Sequence, residues 1–128
     1  PVADGGANAA AVQITTDRST GAGHVKVWSC LGSAPATSVV NYLPDAPASN
    51  GAIVSLSNGG FCLFVSQTTH VMVDLSGVFR PAGGLRYFPR AEPVRLVDTR
   101  SGAPTQPAGS VLRVADPTAS VVVPRLPC

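Results

Sequence analysis

The chain has 128 residues and a formal charge of +2, a length that suits one domain burying roughly two-thirds of its unfolded surface. Eighteen valines stand against one lysine, one glutamate and one methionine, with 13 glycines and 12 prolines, so helix is disfavoured and short strands separated by turns are favoured. The near balance of charge argues against a strongly basic nucleic-acid binder, and no 18-residue apolar run is present to cross a membrane as a helix.

Two-residue alternation of apolar side chains picks out eight strands. "AAAVQIT" sets Val12 and Ile14 on one face, and "HVKVW" sets Val25 with Val27. "AIVSL" pairs Val54 with Leu56, "FCLFV" aligns Phe61, Leu63 and Val65, and "HVMVDL" aligns Val71, Val73 and Leu75. "VRLVD" presents Val94 and Leu96, and "SVLRV" and "SVVV" complete the set. The turns between them are "DRSTGAG", "NYLPDAPASNG", "LSNGG" and "FRPAGG". "SNGG" (57–60) is a hairpin signal, because Asn and Gly tolerate the positive φ of a tight turn. The predicted fold is all-β: an antiparallel β-sandwich of about eight short strands, with an irregular β-barrel as the alternative. One module spans 1–128, with a candidate hinge at 80–84, where the composition shifts to "RPAGG".

Chemistry-bearing residues are few. Five arginines (80, 86, 90, 95 and 100) fall within 21 residues, interleaved with Phe79, Tyr87 and Phe88. No two basic residues are adjacent there, so solvated strand-edge arginines are expected rather than a nucleic-acid surface. Asp74 in "VMVDLSGVFR" and Asp98 in "VRLVDTRSG" invite comparison with a paired-carboxylate active site. Leu75 separates Asp74 from Ser76-Gly77, however, and Arg100 stands where the Gly of an Asp-Thr-Gly turn belongs. An arginine beside an aspartate keeps it ionised, the opposite of a shared proton. His24 and His70 lack a Gly-X-Ser-X-Gly partner, and one Asp at each of two turns is a thin calcium site. The sequence therefore predicts no catalytic residue, no metal and no cofactor. Asp74 and Asp98 are expected to be structural anchors, bound by Arg95 and Arg100. Cys30 and Cys62, near strand ends, either meet as a disulfide or remain buried thiols, and Cys128 is left over.

The segments "TSVVNYLPDAPASNGAIVSL", "GGFCLFVSQTTHVMVDLSGVF" and "PVRLVDTRSG" together resemble a module of extracellular actinobacterial proteins, often present in tandem copies. Departures from its pattern are Asp45 near the usual Gly, Ser49 for an Ala, and Val78 for an aromatic residue. The resemblance implies a non-catalytic module of secreted hydrolases or surface proteins, with a Cys30–Cys62 disulfide. Its partners would be a cell-envelope component or other copies of itself, without nucleic acid and without a membrane-spanning segment. The alternatives are a head-to-tail building block of a surface filament and a glycan-binding module, for which Trp28 and Tyr42 are the candidate ligand contacts. The DTR segment usually opens that module and here comes late. This order predicts that the chain, read as an excised piece, closes on itself through its ends or completes a neighbouring copy.

Overall fold

The computed structural model describes residues 7–81, 84–101 and 105–115. It is an all-β sandwich of eight strands in two four-stranded antiparallel sheets, not closed into a barrel. The strands are β1 (Ala9–Asp17), β2 (Gly23–Trp28), β3 (Val40–Tyr42), β4 (Ala48–Ser55), β5 (Gly60–Val65), β6 (His70–Pro81), β7 (Leu85–Asp98) and β8 (Val111–Ala115). The first sheet runs β4-β1-β6-β7 and the second β3-β2-β5-β8. The alternation expected from the sequence builds the core between them. Val12, Ile14, Val71, Val73 and Leu75 face Val25, Phe61, Leu63, Val65, Leu112 and Val114 across one apolar layer.

Three features depart from the strand pattern expected. The segment "NYLPDAPASNG", read as a turn, contains the end of β3 and the start of β4. β3 is only three residues long, and it is secured by Tyr42, which lies opposite Gly23 of β2. A Cβ on Gly23 would come within 2.7 Å of the Tyr42 ring, so glycine is what lets the ring settle there. The Tyr42 hydroxyl donates to the Gln67 carbonyl (2.6 Å) and accepts from the Gln67 amide (3.1 Å). Tyr42→Phe is expected to lower the unfolding free energy by about 1–2 kcal/mol, because both Gln67 groups lose their partner. Urea denaturation measures this, and an unchanged midpoint would show the latch to be idle.

The second departure is at "SNGG". Asn58 and Gly59 adopt positive φ (50° and 75°), and Ser57 and Gly60 exchange backbone hydrogen bonds, as the sequence predicts. Yet β4 and β5 do not pair as a hairpin; they belong to different sheets. The turn reverses the chain, and pairing partners elsewhere decide where each strand goes. The third departure is β7, which begins at Leu85 rather than near Val94. Its first nine residues are exposed and are held by pairing with β6 up to Pro81↔Leu85. The candidate hinge at 80–84 thus falls at the tip of this hairpin, with residues 82 and 83 outside the described ones. The predicted "SVVV" strand and the meeting of the chain ends also lie outside the described residues. Within them, both parts of the DTR half pair inside the chain, β7 with β6 and β8 with β5.

Candidate functional site

Asp74, Arg95, Asp98 and Arg100 come together on the first sheet. Antiparallel pairing sets Asp74 of β6 opposite Arg95 of β7, and an irregularity between Val73 and Asp74 adjusts the register there. The Arg95 Nε donates to Asp74 Oδ1, and its Nη1 donates to Asp98 Oδ2 at 2.7 Å. Arg100 grips the same carboxylate from the other side: Nε to Oδ1 at 3.1 Å and Nη2 to Oδ2 at 3.2 Å. Asp98 Oδ1 also accepts the Arg100 backbone amide (3.0 Å), so the acid closes the turn that ends β7. One residue further out, Arg100 Nη1 stands 3.9 Å from Asp17 Oδ2, and Arg18 Nε is 3.9 Å from that same oxygen. The result is an alternating ladder, Asp74–Arg95–Asp98–Arg100–Asp17–Arg18, of three acids and three bases across β6, β7 and the end of β1.

The electrostatics of the ladder follow from these contacts. Hydrogen bonds from the Arg100 side chain, more than any other contact, hold the Asp98 carboxyl below the usual carboxylate range, against the opposing effect of burial. Arg95 and Arg100 are correspondingly raised, chiefly by their hydrogen bonds to Asp74 and Asp98 respectively. Because Asp98 binds a proton less readily when folded, its contribution to stability is complete above the ordinary carboxylate pKa near 3.9. That contribution is lost as pH falls through the lowered folded value. Wild-type stability is therefore expected to decline below about pH 4, and an Asp98→Asn variant to decline less steeply. Denaturant midpoints at successive pH values test this; parallel curves would remove Asp98 from the account.

Thr99, between the two charged residues, is the part that sequence reasoning missed. It is fully buried (0% exposed), its Oγ1 accepts the Val71 amide at 2.9 Å and lies 2.8 Å from His70 Nδ1. Its own amide donates to the Val71 carbonyl. Ser19, Thr69 and Gln106 are buried beside this end of the sandwich, with Ser19 Oγ 2.8 Å from Thr69 Oγ1 and a reciprocal backbone pair between Thr69 and Gln106. The signal in the sequence was a small hydroxyl residue between Asp and Arg; that it is buried follows only from the packing of β7 on β6.

Arg95 stands between the two carboxylates, leaving no place for a proton shared by them. The hydroxyl nearest His70, on Thr99, is inaccessible to a substrate. Among the described residues, no group of three or more His, Cys, Asp or Glu is placed to hold a metal ion. Cys30 and Cys62 form a disulfide with Cα atoms 5.0 Å apart. Of the two aromatic residues suggested as ligand contacts, Tyr42 is 3% exposed and engaged by Gln67, so it is not a surface aromatic. Trp28 is half-buried on β2, opposite Cys62, and its indole N–H is buried without a hydrogen-bond partner.

No protein-family model matches the chain, and no curated protein or solved structure matches it. Fold and site together define a disulfide-linked β-sandwich in which acids and arginines lock strand ends together.

Proposed function

We propose that the chain is a non-catalytic module of a secreted or cell-surface protein, serving attachment or structure at the cell envelope, and that it belongs with the actinobacterial repeat module its segments resemble. The observation that carries this reading is the use of the DTR segment. Asp98, Thr99 and Arg100 each bind another strand or a turn, which engages the whole segment in holding the fold together. The Cys30–Cys62 disulfide supports maturation in an oxidising compartment. No helix among the described residues is long and apolar enough to cross a membrane, so a surface location would rest on attachment or on β-strands. Incubating the oxidised protein with isolated actinobacterial cell envelopes and sedimenting them tests the proposal. The protein is expected in the pellet; recovery in the supernatant would overturn the attachment role.

Assembly between copies is favoured by one separate observation. β7 is an edge strand whose outer half exposes Leu85 (60%), Tyr87 (43%) and Phe88 (36%). Pro89 and Pro93 interrupt its row of amide donors, which limits edge-to-edge pairing to short stretches. Light scattering across a concentration series decides this reading, since a monomer at all concentrations would remove it.

A further inference from the structure

The two sheets differ in charge. Among the described residues, Asp17, Asp74, Glu92 and Asp98 lie on strands of the first sheet, and none of β2, β3, β5 and β8 carries an acid. Alternation that sends Val25, Leu63 and Leu112 into the core turns Lys26, Phe64 and Val111 outward in one row across β2, β5 and β8. The next row outward is Trp28, Cys62 and Arg113. Lys26 Nζ lies 5.9 Å from the Phe64 ring centroid, and the His24 ring is centred 6.0 Å from it on the same face. Arg113 donates to the Ser57 and Asn58 carbonyls (2.9 and 3.1 Å), which orient the guanidinium without neutralising it. Val111, beside Phe64, is 54% exposed.

A sheet face with cations, aromatic rings and, among the described residues of its strands, no acid is complementary to an anion-bearing polymer. Strand spacing and rise place the Lys26 and Arg113 backbones about 12 Å apart, with the aromatic rings between and beside them. A chain with a negative group on every sugar unit offers anions to both side chains at once, and the rings offer apolar surface to the faces of sugars. Cys62 forms its disulfide on this same face, which favours an acidic polysaccharide over a nucleic acid as the polyanion encountered. We propose that the outer face of β2, β5 and β8 binds an acidic polysaccharide, with Lys26 and Arg113 holding its anionic groups and Phe64 and Trp28 seating its rings. This inference rests on the extracellular reading above and adds to it a ligand class and a surface.

Trp28 is the one tryptophan of the chain, so its fluorescence reports on this face alone. The probes are polygalacturonate, neutral dextran and single-stranded oligothymidylate, titrated against the oxidised protein. Measurements at about 0.01 M and about 0.15 M salt correspond to Debye lengths of about 30 and 8 Å. Polygalacturonate is expected to change the Trp28 emission and to bind several-fold more weakly at the higher salt, while dextran leaves the emission unchanged. Lys26→Glu is expected to weaken binding about tenfold, equivalent to about 1.4 kcal/mol, and Lys26→Arg to keep wild-type affinity within about twofold. Val111→Glu, at an exposed position, brings the same loss should Lys26→Glu fail to fold. Absence of binding, wild-type affinity in Val111→Glu, or tighter binding of oligothymidylate would each overturn the proposal. Sedimentation with envelopes by a protein that ignores polygalacturonate would reject this face and leave the attachment reading standing.

Discussion

Reducing the Cys30–Cys62 disulfide, or replacing both residues with alanine, is expected to lower the unfolding free energy by about 3–4 kcal/mol in the chain-entropy model. The bond joins positions 32 residues apart, tying the loop after β2 to the inner strand β5 of the second sheet. Cutting it frees the unfolded chain to explore conformations that the closed loop forbids, and the native state gains nothing in return. For a domain of this length the loss corresponds to a fall in Tm on the order of 10–15 °C. The second sheet should suffer more, because its edge strand β3 has only three residues to hold it. Thermal unfolding with and without reductant measures the effect. Coincident curves would mean that the packing of Phe61, Leu63 and Val65 already fixes β5 without the cross-link.

Asp98→Ala is expected to lower stability by about 2 kcal/mol and to loosen the end of β7. The carboxylate is 14% exposed and satisfies two guanidinium groups and a backbone amide at once. Truncation deprives all three. The loss stays below that of a deeply buried ion pair because Arg95, 46% exposed, can recover water. Asp98→Asn keeps an acceptor for the Arg100 amide and should lose about half as much. Chemical denaturation of the two variants beside the wild type checks both magnitude and order. Equal stability of all three would deny Asp98 an anchoring role and return attention to catalysis. A further expectation is local: backbone amide exchange at Val71 and Thr99 should accelerate in Asp98→Ala, since their mutual hydrogen bonds depend on the turn that Asp98 closes.

The β class, the apolar faces of β1, β5 and β6 and the tight turn at Asn58-Gly59 were legible from the sequence alone. Each depends on a local rule: valine-rich alternation with period two, or the tolerance of Asn and Gly for positive φ. The grouping of Asp74 and Asp98 with Arg95 and Arg100 was also legible, because opposite charges within a few residues of strand ends have few other partners. Only the tertiary structure decided which strands share a sheet. The turn at 57–60 reads as a hairpin, yet β4 pairs with β1 and β5 with β2 and β8. Turn chemistry reverses a chain, whereas partner choice depends on which distant apolar face is left uncovered. The early part of β7, with two prolines and no apolar alternation, becomes a strand because β6 offers it a ladder. Burial of Thr99 and of the Tyr42 hydroxyl likewise needed the packed structure. A small polar residue looks like surface until a neighbouring strand supplies the backbone groups that allow it to leave water.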